Sequence, residues 1–142
     1  MPGKLSATVV IEIQTNAATV WNGLTDPGMI KRYFFGTEAS SDYTKGSPIY
    51  FRGEWEGKAY EDKGTILDVA ENSLLRYNYW SSMSGTPDIP ENYAVITYTL
   101  REKGNSTLLT IQQDGISTEE QKSHSEKNWE MIMGGLKKIL EQ

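Results

Sequence analysis

Tyr77, Tyr79, Tyr98 and Gln113 are the polar-tipped residues of this sequence best placed to act on another molecule. They alternate with outward-facing positions in three mainly apolar runs. A period of two therefore puts them on one face with Ile49, Phe51, Leu75, Ile96, Leu109 and Ile111. Phenol hydroxyls and a carboxamide in an apolar surround are oriented hydrogen-bond donors and acceptors, so the chemistry they offer is recognition of a small molecule in a cavity. A second reading stands beside it, in which the same rings fill a solid core and bond each other or water.

Other chemistry is thinly represented. The chain has no cysteine, which excludes disulfides, thiol nucleophiles and thiolate metal sites, and its one histidine, His124, lies in a polar stretch that reads as exposed. Glu12, Glu54, Asp68 and Asp114 lie on strand-like runs with nothing to pair them at the fixed separation that acid-base catalysis needs, and they read as solvated. No nucleophile elbow, phosphate-binding loop or dinucleotide fingerprint occurs; Gly134-Gly135 falls inside an amphipathic helix, where it reads as a close-packing device. No catalytic residue, metal ligand or cofactor is therefore assigned.

A net charge of −5 disfavours nucleic acid as a partner. No apolar run approaches the roughly 20 residues of a membrane span, and Met1-Pro2-Gly3-Lys4 lacks the core of a secretion signal, so the expected location is the cytoplasm. At 142 residues the expectation is one domain over the whole chain.

The elements that must position these residues follow from the pattern. Val9, Ile11 and Ile13 alternate along a first strand, Ala7 to Gln14. Asn16 caps a short helix carrying Ala17, Val20, Trp21 and Leu24, and Asp26-Pro27 opens a second with Met29, Ile30 and Tyr33. Six further strands are expected near Thr37–Asp42, Ser47–Trp55, Ala59–Val69, Leu74–Trp80, Tyr93–Glu102 and Thr107–Asp114, joined by short polar turns. Ser117 with Glu120, or Thr118 with Gln121, starts a last helix of about 23 residues, roughly 35 Å long. Its stripe is Trp129, Ile132, Leu136, Ile139 and Leu140. Traced backward the stripe reaches Ser125 and Gln121, so the first half of the helix, with Asn128, either leaves room for a ligand or projects into solvent. Trp80, Met83 and the loop Ser81–Glu91 suggest a lid, a protein-contact patch or a loosely packed loop. The order of elements gives an α+β class, a curved antiparallel sheet of about seven strands around a long C-terminal helix.

Val20-Trp21, Leu24-Thr25-Asp26-Pro27, the Gly46 turn into Ile49 and Phe51, Gly64 and Ile66 before Leu75-Arg76-Tyr77, Thr107-Leu108-Leu109 and Trp129 together resemble the activators of heat-shock protein 90 ATPase. The likeness is to their C-terminal domain, within the START-related helix-grip superfamily. Three positions depart from the usual pattern: Tyr33-Phe34 as the aromatic pair, Asn128 before the last tryptophan, and Gln113 at the end of the last strand. The resemblance implies a helix-grip fold and a cavity between sheet and helix, with Tyr33, Phe34, Phe51, Tyr77, Tyr79, Tyr98, Gln113, Asn128, Trp129 and Ile132 as ligand-binding candidates. Three roles are open, the first resting on the cavity-type residues and the missing catalytic apparatus, the other two on the resemblance. The leading one is a non-catalytic module for an apolar or aromatic small molecule. A second is contact with a chaperone partner. A third is a cyclase- or hydrolase-like enzyme in which Tyr79, Tyr98, Gln113 or Glu54 converge.

Overall fold

Each helix begins where a side chain satisfies an otherwise free backbone N–H. In the computed structural model, which describes residues 4–34, 36–82 and 85–141, Asn16 accepts a hydrogen bond from the Thr19 N–H at 2.8 Å and starts α1 (Ala17–Thr25). Asp26 accepts from Met29 at 3.0 Å and, with Pro27 in the first turn, starts α2 (Pro27–Tyr33). Thr118 accepts from Gln121 at 3.1 Å to start α3 (Glu119–Leu140), and Gln121 Oε1 reaches back one residue further than a capping box requires, to the Ser117 N–H at 3.3 Å. Glu119 and Glu120 in the first turn and Lys137 and Lys138 in the last complement the helix dipole.

The strands are β1 (Leu5–Ile13), β2 (Glu38–Ser41), β3 (Pro48–Trp55), β4 (Lys58–Ala70), β5 (Leu74–Ser81), β6 (Ala94–Lys103) and β7 (Ser106–Ile116). All seven pair antiparallel in the order β1-β7-β6-β5-β4-β3-β2. The α1–α2 segment carries the chain from one edge of this sheet to the other, after which a meander returns it to β1. This is the expected helix-grip α+β class.

The sheet bends because β4 cannot run straight. A side chain at Gly64 would meet the Asn78 carbonyl oxygen at 1.7 Å, and Asn78 Oδ1 accepts the Thr65 N–H at 2.7 Å. A bulge follows between Ile66 and Asp68. Concave-facing Ile49, Ile66, Leu75, Leu109 and Ile111 are buried against Ile132, Met133 and Leu136 of α3. Met133 holds the core position expected of Ile139, which is only half buried. Measured from Trp129, the positions 132, 133, 136 and 140 follow the i+3, i+4, i+7, i+11 series of one helical face, and Ile139 sits at its margin.

α3 also lies along the outer edge of β1. Glu126 accepts from the Thr8 N–H at 3.2 Å, Lys137 Nζ donates to the Glu12 carbonyl at 2.6 Å, and Glu141 accepts from the Gln14 N–H at 2.8 Å. Helix side chains thus take the hydrogen bonds that another strand would otherwise make. Of the two glycines in α3, Gly135 lies close to Tyr33, where a Cβ would be 3.4 Å from that residue's Cβ, whereas a Cβ at Gly134 would meet nothing within 4 Å. Close packing accounts for the first and not the second. No helix among the described residues is long and apolar enough to cross a membrane.

Candidate functional site

The register of β3, β4 and β5 assembles one wall of a hollow. Phe51 pairs with Asp62 and Gly53 with Tyr60 across β3 and β4, and Asp62 pairs with Ser81 of β5, two residues from Tyr79. Directly opposite residues share a face, so Phe51, Tyr60, Asp62 and Tyr79 all turn inward. Gly53 is needed there: a Cβ would come within 2.5 Å of the Tyr60 hydroxyl oxygen and 2.8 Å of its ring, so the missing side chain lets the phenol lie across β3. The Tyr60 hydroxyl then bonds Thr37 Oγ1 at 2.6 Å. Tyr79 donates to Asp62 Oδ2 at 2.5 Å, a short charge-assisted bond, while Asp62 Oδ1 is buried with no hydrogen-bond partner.

Across from this wall, α3 contributes His124, Ser125, Asn128, Trp129, Met131 and Ile132. Between helix and sheet lies a hollow of about 550 Å³, completed by Phe34, Thr37, Tyr77, Ile96 and Gln113, within the roughly 300–1,000 Å³ typical of small-molecule sites. Asn128 and His124 are exposed at its rim. A more polar depression at the start of α3 shares Gln113, His124 and Ser125 with it.

Eight of the ten candidates from the sequence border the hollow: Phe34, Phe51, Tyr77, Tyr79, Gln113, Asn128, Trp129 and Ile132. Tyr33 and Tyr98 do not. They lie around a separate gap of only about 10 Å³ with Leu24, Ile30 and Leu75. Tyr33 donates to the Gly23 carbonyl at 2.7 Å, and the Tyr98 and Tyr77 hydroxyls bond each other at 3.2 Å. The tyrosine–glutamine group expected from alternation is thus divided into pairs: Tyr77 with Tyr98, Tyr79 with Asp62, and Gln113 Oε1 with the Trp129 indole N–H at 2.9 Å. Trp129 is fixed further by edge-to-face contacts with Phe34 and Tyr98 at 6.2 and 6.0 Å, and Phe34 stacks on Phe51 at 6.2 Å.

Burial holds the Tyr77, Tyr79 and Tyr98 hydroxyls well above the ordinary phenol range, and for Tyr79 the Asp62 carboxylate adds to it. They remain neutral donors and acceptors at any physiological pH. Glu54 is exposed, so no carboxylate from that position converges with the tyrosines. Glu12 and Asp114 instead make surface ties, accepting from Ser106 and Ser6 at 2.6 Å each.

Asp62, Tyr60 and Thr37 were not among the sequence candidates. The loop after β5 is also placed differently from a lid: Trp80 pairs with Lys63, on the face opposite Asp62. The Trp80 indole donates to the Thr86 carbonyl at 3.2 Å, and Asp88 bonds Lys63 and Tyr93. No described residue of 81–91 borders the hollow; Met83 lies outside the described residues.

Residues 14–141 match the family described as activator of Hsp90 ATPase homolog 1-like protein. The chain belongs to that family. The chain is similar along 99% of its length to protein ChR145 from Cytophaga hutchinsonii, known from a solution structure, with 47% identity, 97% of that chain covered and a TM-score of 0.87. CalU16 from Micromonospora echinospora shares the fold at 23% identity and TM-score 0.73, over 92% of this chain and 73% of its own. The Aha1 dimer from Colwellia psychrerythraea shares it at 16% identity and TM-score 0.76, over 96% of each chain. No curated protein matches the chain in sequence.

Proposed function

We propose that this family member is a cytoplasmic, non-catalytic binding module that takes an apolar or aromatic small molecule between the concave sheet and α3. The observation that carries this reading is the hollow of about 550 Å³ with an aromatic floor of Phe51, Tyr77 and Trp129 and a few bonded polar groups in its wall. Rings already held by their own contacts lose little freedom when a ligand arrives, which favours affinity. The polar first half of α3 supports the same reading, because it leaves unfilled the space that leucines would occupy.

The test is the thermal unfolding midpoint across lipids, aromatic polyketides, flavonoids and hormones. A ligand at about 100 times its Kd stabilises the native state by about 2.7 kcal/mol, a shift of several degrees. The shift should vanish in Asn128→Trp, which plugs the rim from an exposed position. A cooperative transition that no compound moves would overturn the reading. It would favour a chaperone-type protein contact, for which the family description and the fold shared with the Colwellia Aha1 dimer are the support.

A further inference from the structure

We propose that the hollow selects its ligand through Asp62, admitting aromatic or apolar molecules that present a hydrogen-bond donor, a hydroxyl or an ammonium group, and rejecting carboxylates. This rests on the small-molecule reading above and specifies what that molecule must carry. Asp62 is only 8% exposed and borders the hollow, yet its Oδ1 has no partner. A carboxylate has about four acceptor positions, and Tyr79 occupies one of them.

Neighbours of Asp62 along β4 are engaged elsewhere. Tyr60, two positions away on the same face, has its hydroxyl bonded to Thr37 Oγ1. Glu61 and Lys63 point to the opposite face and are engaged there by Arg52 and Asp88. Among the described residues no ion pair includes Asp62. An asparagine would accept the Tyr79 hydroxyl equally well without the cost of burying a charge. What the carboxylate adds is a second acceptor oxygen and a negative charge, and both favour a donor arriving from the hollow. The ring faces of Phe51, Tyr77 and Trp129 would hold the aromatic body and also suit a cation.

The probes are biphenyl, 4-hydroxybiphenyl, 4-(aminomethyl)biphenyl and biphenyl-4-carboxylate, titrated into the full chain and into Asp62→Asn while backbone amide shifts are followed. In the unmodified protein the hydroxyl or ammonium compound should bind at least about tenfold more tightly than biphenyl, and the carboxylate most weakly. Which of the two donors binds better tells whether the natural ligand is a neutral alcohol or phenol, or an amine. Asp62→Asn should lower ammonium affinity about tenfold and raise that of the carboxylate. Equal affinity for all four compounds, or an order that Asp62→Asn leaves unchanged, overturns this inference and leaves the cavity reading standing. Failure of all four to bind overturns this inference, and the unfolding panel above then decides the cavity reading. If Asp62→Asn does not fold, the order in the unmodified protein decides alone.

Discussion

One helix and one sheet face form both halves of this molecule's interior, and the halves differ in what α3 presents. Beyond Ile132 the helix buries Met133 and Leu136 in one core with Ile49, Leu75 and Leu109. Before Trp129 the same face carries Ser125 and Asn128, and the hollow opens opposite Asp62, Tyr60 and Tyr79. Close packing in the C-terminal half stabilises the fold. The N-terminal half gives up apolar contact and gains a polar wall, the trade expected of a region kept for binding.

The strongest challenge to this contrast is truncation on either side of it. Leu136→Ala, at a fully buried position, should cost about 2–5 kcal/mol in urea unfolding, whereas Asn128→Ala at the rim should stay within about 0.5 kcal/mol. Similar losses at the two positions would erase the distinction. Tyr79→Phe probes the polar wall, since it strips Asp62 of its remaining hydrogen bond; a loss of about 1–3 kcal/mol is expected. A neutral result would mean that water satisfies the carboxylate.

The smallest effect concerns the packed side's surface ties. The Ser106 hydroxyl holds the Glu12 carboxyl below its usual value of 4.5, and Lys137 with the Gln14 N–H does the same for Glu141. A lowered folded-state pKa contributes stability that is complete above the usual carboxylate range and disappears as pH falls through the lowered value. Ser106→Ala should therefore unfold slightly earlier than the unmodified protein at pH 7 and match it near pH 3, read from urea midpoints. An equal deficit at both pH values would assign the effect to packing around Ser106.

Much of this arrangement was legible in the residues. Alternation identified Phe51, Tyr77, Tyr79 and Gln113, and the polar break at Ser125 marked where the helix stops filling the interior. Asp62 was not legible, for a physical reason. Counting by twos from Val69 turns Glu61 and Lys63 inward, while counting from Ile66 turns Tyr60 and Asp62 inward. The bulge between Ile66 and Asp68, which makes both Val69 and Ile66 face the core, decides between them and leaves no clear mark in composition. That Tyr98 lies away from the hollow was hidden because alternation gives the face and not the place along it, and for Tyr33, on α2, alternation gives neither.

The ties from Glu126, Lys137 and Glu141 to β1 bear on how copies of this chain can meet. With one margin of the sheet already bonded, strand addition is left to the opposite margin, where, among the described residues, β2 covers Ile49–Arg52 of β3 and leaves Gly53–Trp55 without a strand neighbour on that side. Two molecules joined at that margin in twofold symmetry would each have used it, so such growth ends at a pair rather than propagating into a filament.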